Sequence, residues 1–272
     1  MKCHLQLTGL LIALSALAGS SFAQSKFEGL YGQVSTGYES NQLGSLSGSA
    51  TEVPNNKSDI IRTAPSQTFG GAPLVLGAGY YWQANDKWLI GVGADYSALT
   101  QTSSTFPVSM TNAPGSTTVV AGSKVTANGA SAQLSNRFNL FITPGYAIDK
   151  DKLVYMKAGY SQVTTQFNRN SSVTRVAANG TSVTTPATGG NPSSNQGGFL
   201  VGLGYKQIIA SGLYGFVEGN YMSYSSPSDS FTTSVTALNT VHGITSKGTR
   251  TVTTKFDSLN SYQFLVGLGY AF

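Results

Sequence analysis

The sequence predicts an all-β chain, an eight-stranded antiparallel transmembrane up-and-down β-barrel. Three observations carry this: a glycine-rich and charge-poor composition, tyrosines set at alternating long and short intervals, and period-2 alternation in the segments that end on them. Of 272 residues, 32 are Gly and only 10% are charged, against about 25% in an average soluble domain. A chain so poor in charge does not face water on all sides.

The tyrosine spacing supplies the length of each unit. Tyr38, Tyr80, Tyr146, Tyr160, Tyr205 and Tyr270 directly follow glycine, and Tyr96 in "GADY" and Tyr221 in "GNY" are close variants. The intervals between these eight are 42, 16, 50, 14, 45, 16 and 49 residues. A short interval fits one tight turn plus one strand; a long interval fits one long connection plus one strand.

Each tyrosine closes about ten residues in which apolar and small or polar side chains alternate, as in a strand with two different faces. In the last segment Tyr262, Phe264, Val266, Leu268, Tyr270 and Phe272 share one face, and Ser261, Gln263, Leu265, Gly267, Gly269 and Ala271 the other. The rule gives strands at 27–38, 73–83, 87–102, 134–147, 152–168, 197–208, 212–225 and 260–272. Tight turns fall near 84, 149 and 210. Long loops rich in Ser, Thr, Asn and Gly fall at about 39–72, 103–132, 171–194 and 227–258, all on one side. Within them Asn179-Gly180, flanked by alternating residues, suits a two-residue hairpin turn, so strands five and six are expected to continue outward as a polar hairpin. Asn128-Gly129 reads similarly.

Residues 1–23 have the form of a signal peptide: Lys2, an apolar stretch over 5–17, then Ser21-Phe22-Ala23, with cleavage expected after Ala23. The barrel domain then covers 24–272. Cys3 is the only cysteine, so a chain cleaved there has no disulfide and no thiol chemistry. Losing Lys2 lowers the net charge from +5 to +4. With no Lys/Arg run, nucleic acid is not an expected partner.

Alternation alone fits a soluble barrel with its apolar face inside or a membrane barrel with that face outside. The polar face decides between them. It carries glycines such as Gly77, Gly79, Gly202, Gly204, Gly267 and Gly269 and few charges, a poor water-facing surface that suits a crowded, narrow lumen. Strands of this length also match a tilted membrane crossing, and outer-membrane lipid becomes the expected surroundings. The tyrosines, with Trp82 and Trp88, then form interfacial aromatic girdles: Tyr80, Trp82, Trp88, Tyr146, Tyr205 and Tyr270 on the inner side, Tyr38, Tyr96, Tyr160 and Tyr221 on the outer.

The start "FEGLYGQVSTGY" and the end "VGLGYAF" resemble the small bacterial outer-membrane β-barrel family of OmpA-like transmembrane domains, OmpX-like and opacity-type proteins. The resemblance covers the chain after the leader and implies a barrel-only member. It also implies both termini in the periplasm, and recognition of the last strand by the barrel-assembly machinery, with Tyr270 and Phe272 as the assembly signal.

On the inner face the charged residues stand out: Asp95, Lys157 and Glu218, with Arg137 and Lys206 nearby. An ionisable group at membrane depth is costly unless paired or hydrated, so a mutually paired plug is expected, with a narrow ion path as the alternative. Catalysis lacks a base, because His4 lies in the leader and His242 in the last long loop with no acid positioned beside it. The loops hold isolated acids rather than a converging set, so neither a metal nor a cofactor is expected. The function anticipated is structural or surface-interacting, with a host or cell-surface ligand at the loops. A small porin-like channel is the runner-up, and a barrel-embedded hydrolase stands third.

Overall fold

The computed structural model describes residues 25–53, 57–112, 123–168, 171–186, 191–239 and 244–272. Its strands are β1 (Gly29–Leu43), β2 (Leu46–Val53), β3 (Lys57–Ala64), β4 (Gln67–Gly71), β5 (Leu74–Gln83), β6 (Trp88–Ser97), β7 (Gln101–Thr102), β8 (Phe106–Asn112) and β9 (Lys124–Asp149). They continue with β10 (Lys152–Asn168), β11 (Ser172–Val176), β12 (Ser182–Pro186), β13 (Ser193–Ala210), β14 (Leu213–Tyr224), β15 (Ser228–Asn239), β16 (Ile244–Phe256) and β17 (Leu259–Ala271).

Eight of these close a ring. β1 pairs with β5, β5 with β6, β6 with β9 and β9 with β10. β10 then pairs with β13, β13 with β14, β14 with β17, and β17 returns to β1, all antiparallel. These are the eight expected strands, joined at one end by tight turns. In the β5–β6 turn the Asn85 side chain accepts hydrogen bonds from the backbone N–H of Lys87 and Trp88 at 3.1 and 3.0 Å. The β13–β14 turn uses Gly212 at φ +74°, where a side chain would be strained.

The ring is apolar outside and polar inside. Along β17, Tyr262, Phe264, Val266, Leu268, Tyr270 and Phe272 are exposed, and Ser261, Gln263, Leu265, Gly269 and Ala271 are buried. The eleven residues of that outward run rise about 3.3 Å each, so at the usual tilt they span roughly 25 Å of height, a membrane barrel's apolar band.

The four segments expected as long loops are for the most part strands, which corrects that reading. Beyond the ring, β15, β16, β2, β3, β8, the outer part of β9, β11 and β12 pair in that order. These segments rise as hairpins whose neighbours share hydrogen-bonded edges, so their backbone polar groups are met by one another rather than by water. Asn179-Gly180 does lie in the connection between β11 and β12, with Gly180 at φ +84°, but that connection is longer than the expected two-residue turn: Ala177 and Thr181 still hydrogen-bond, and three residues lie between them. Asn128-Gly129 is not a turn: it lies inside β9, Gly129 at φ +82°.

A second irregularity in β9 decides which side chains enter the lumen. Asn136 takes φ 50°, where Asn is among the tolerated non-glycine residues, and the register against β10 shifts at this point. Below this bulge Arg137, Asn139 and Phe141 are buried; above it Leu134 and Ala132 are. The inward parity has switched from odd to even. The bulge marks the boundary between a polar lumen and an apolar plug, in which Leu43, Leu46, Phe69, Phe106, Leu134 and Phe256 pack under the outer extension.

Candidate functional site

Four layers fill the lumen below the apolar plug. In the uppermost, Arg137 forms an ion pair with Glu39, 3% and 1% exposed. The same guanidinium donates to Asn41 Oδ1 and Ser261 Oγ at 3.0 Å each and to Tyr224 Oη at 2.9 Å. Asn41 and Gln263 also donate to Glu39, at 2.8 and 2.7 Å.

The next layer holds the ion triad. Lys157 Nζ lies 2.7 Å from Asp95 Oδ2 and 2.9 Å from Glu218 Oε1, all three groups buried. Asn139 donates to Asp95 at 2.5 Å, and Tyr155 Oη and Asn220 Nδ2 donate to Glu218 at 2.7 Å each. The Lys157 ammonium also stands 4.0 Å from the Phe141 ring centre. Each charge is thus opposed and each carboxylate has donors besides the lysine, as buried ions require.

Below the triad Lys206 lies among aromatic rings. Its Nζ is 4.1 Å from the centre of Tyr31, 4.8 Å from Tyr214, 5.0 Å from Tyr81 and 5.2 Å from Tyr155. It donates to Gln33 Oε1 at 3.2 Å. The lumen glycines make room for these rings: a Cβ on Gly91 would lie 2.7 Å from Tyr81 Cε1 and one on Gly93 2.6 Å from the Tyr31 hydroxyl, while Cβ atoms on Gly204 and Gly269 would enter the rings of Tyr155 and Tyr214.

The floor is made by the chain just before β1. Phe27 is 2% exposed and meets the Tyr214 ring edge-on at 6.1 Å. Ser25 N donates to Gln83 Oε1 at 2.8 Å, and Lys26 pairs with Asp151 at 2.6 Å. In the adjoining turn, Asp149 accepts from the Asp151 backbone N–H and pairs with Lys152 at 3.0 Å. Those contacts hold its carboxyl below the ordinary carboxylate range.

Of the five charged residues singled out in the sequence, Asp95, Lys157 and Glu218 meet in one cluster. Arg137 does not join them; its partner is Glu39, which lies in β1 and not in the loop expected from residue 39 onward. Lys206 makes no ion pair among the described residues, and is met by rings instead. Glu39 had a signal: it follows Tyr38, whose side chain faces outward at 61% exposure, so strand alternation turns Glu39 inward once β1 is extended.

The aromatic residues lie on the outer wall in two bands. Tyr38, Tyr96, Tyr160 and Tyr221 are paired in register with Phe264, Phe138, Phe199 and Tyr262. At the tight-turn end Tyr80 packs on Trp82, Trp88 on Tyr146 and Tyr270 on Phe272, with ring centres 4.8, 5.3 and 5.1 Å apart. Tyr205 is opposite Val154, itself opposite Tyr146. Ala23 and His242 lie outside the described residues.

The outer face of the extension bears one continuous rank of side chains. Ser228, Lys255, Ser47, Thr63, Ser109, Thr126, Thr174 and Thr184 are directly opposed, each to the next, across all eight strands. All are exposed or half-buried, and the neighbouring inward positions Leu46, Ala64, Val108 and Ala127 belong to the plug. The rank contains seven hydroxyls, one ammonium and no carboxylate. Beside this sheet, Pro192–Ser194 and Pro227–Asp229 flank a shallow open cleft backed by Phe167, Phe256 and Leu134.

No family model and no curated protein matches the sequence. Solved structures similar to the chain include the attachment invasion locus protein Ail of Yersinia pestis, at 12% identity over 87% of this chain and 99% of that one, with a TM-score of 0.35. They also include the outer membrane protein OprG from Pseudomonas aeruginosa (13%, 92% and 99%, TM-score 0.45) and the outer membrane protease OmpT from Escherichia coli (8%, 93% and 100%, TM-score 0.40).

Proposed function

We propose that this chain is a structural outer-membrane barrel that holds a hydroxyl-covered β-sheet extension outside the lipid for contact with envelope or cell-surface partners. The observation that carries the reading is the inverted burial of the ring. Leu203, Leu268 and Phe264 are 64%, 51% and 61% exposed, while Glu39, Asp95 and Lys157 are 1%, 4% and 2% exposed. An apolar exterior with an ionic interior is stable only where hydrocarbon replaces water outside. The even strand number and the tight turns at the end where β1 begins and β17 finishes suit a periplasmic location for that end.

A non-catalytic role is supported by what fills the lumen. The carboxylates are occupied by Lys157 and Arg137, and the layers from the Phe27 floor to the Phe256 plug are contiguous. The porin-like reading would need these layers to part. The proposed assembly signal, Tyr270 and Phe272, stacks edge-on at the open end of β17, exposed for recognition before the ring closes. Separation of membranes by density, with gel mobility before and after heating, tests the location. Recovery in the soluble periplasmic fraction refutes it, and deletion of 171–191 with assays of surface attachment tests the contact role.

A further inference from the structure

The lower lumen contains an aromatic enclosure whose occupant comes from the chain itself. The faces of Tyr31, Tyr81, Tyr155 and Tyr214 surround Lys206 Nζ at 4.1 to 5.2 Å, with Phe216 at 6.0 Å. Aromatic faces are negative at their centres and attract ammonium ions most strongly where water is excluded; Lys206 is 1% exposed.

The charge balance of the lumen also calls for a cation here. Among the described residues the buried charges are Glu39, Asp95 and Glu218 against Arg137, Lys157 and Lys206. Glu39 and Arg137 cancel, and the Asp95–Lys157–Glu218 triad keeps one negative charge in excess. Lys206 in the adjacent layer offsets it without touching a carboxylate. Its ammonium donates a hydrogen bond to the neutral Gln33 amide oxygen, so the site selects positive charge through rings and field rather than through a salt bridge.

We propose that the inner end of the lumen is a binding site for alkylammonium ions, self-occupied by the Lys206 side chain and floored by Phe27. With its own lysine in place the site closes the barrel to organic cations. With the lysine side chain shortened, the same rings take a free primary ammonium of matching length.

Chemical rescue tests this. The Lys206→Ala chain, which lacks the three carbons and the nitrogen beyond Cβ, is refolded into detergent micelles with n-propylammonium chloride, with n-propanol or with sodium chloride, and its urea midpoint and refolded fraction are measured. The expected result is a midpoint below that of the unmodified chain, raised saturably by propylammonium and not by the other two. Equal recovery in propanol overturns the proposal, since filling space then suffices, and so does no response to any of the three. Should Lys206→Ala fold only with an additive, the refolded fraction gives the same comparison. Lys206→Met keeps the volume without the charge. A lower midpoint for it supports the proposal, and a midpoint equal to or above that of the unmodified chain overturns it.

Discussion

Replacing Lys157 by Met removes the ammonium that bridges Asp95 Oδ2 at 2.7 Å and Glu218 Oε1 at 2.9 Å. Met has nearly the same length, so the change is one of charge and not of packing. Glu218 keeps two donors, Tyr155 and Asn220, whereas Asp95 keeps Asn139. Both carboxylates would then stand close together, 4% and 3% exposed, with no cation between them. Breaking a buried pair by deleting one partner costs about 3–5 kcal/mol, most of it the penalty of the stranded charge. Lys157→Met should therefore lower unfolding free energy by at least ~3 kcal/mol. The combined variant D95N/K157M leaves Glu218, with its Tyr155 and Asn220 donors, opposed by the Lys206 ammonium in the adjacent layer; it strands no net charge and should recover most of that loss. Urea unfolding in lipid vesicles, followed by tryptophan fluorescence and by heat-modifiable gel mobility, measures both. A single Lys157→Met variant as stable as the parent, or a combined variant worse than the single one, refutes the argument that the triad is held by mutual neutralisation.

Four further outcomes follow from the same geometry. Val266 lies midway along the outward run of β17 and is 51% exposed; Val266→Arg should cost ~2–4 kcal/mol in a bilayer, while Val183→Arg on β12, 57% exposed, should cost near nothing, and equal effects would place both in water. Asn136→Gly should lose only the hydrogen bond that the Tyr96 hydroxyl donates to Asn136 Oδ1, within about 1 kcal/mol, whereas Asn136→Val should lose a further ~1–3 kcal/mol, because a β-branched residue is strained at positive φ; a Val variant no worse than the Gly one in the same urea assay would remove the bulge argument. Gly204→Val should cost ~1–3 kcal/mol by overpacking against Tyr155, and the same substitution should cost less in a Tyr155→Ala background, where the ring is gone; an equal cost in both backgrounds would point away from ring contact. The Asp149 carboxyl should titrate below the ordinary range by carbon NMR, so its contribution, present above its unfolded pKa, is lost only as pH falls through the lowered folded one; an ordinary or raised value contradicts the turn geometry.

Sequence alone determined the ring and its facing. Period-2 alternation placed Tyr262 through Phe272 on one side and Ser261 through Ala271 on the other, and the exposures follow that division, because a strand has only two faces and hydrocarbon accepts only one of these. Gly202, Gly204, Gly267 and Gly269 were legible as lumen residues for the same reason. Their task was not legible: Gly204 and Gly269 leave room for the rings of Tyr155 and Tyr214, which come from other strands, at a height fixed by register.

Three features were settled only in three dimensions. The choice of Glu39 for Arg137 depends on how far each strand is displaced along its neighbour when the ring closes, a quantity no single strand encodes. The switch of inward parity in β9 depends on one residue, Asn136, taking a left-handed conformation that its sequence neighbours do not signal. The outer segments read as loops because Ser, Thr, Asn and Gly are common in turns. They became strands because eight of them meet edge to edge and satisfy one another's backbone groups, aligning hydroxyls from Ser228 to Thr184 that lie far apart along the chain. Alternation within a strand is a local property of the backbone, whereas partners across a barrel are chosen by closure.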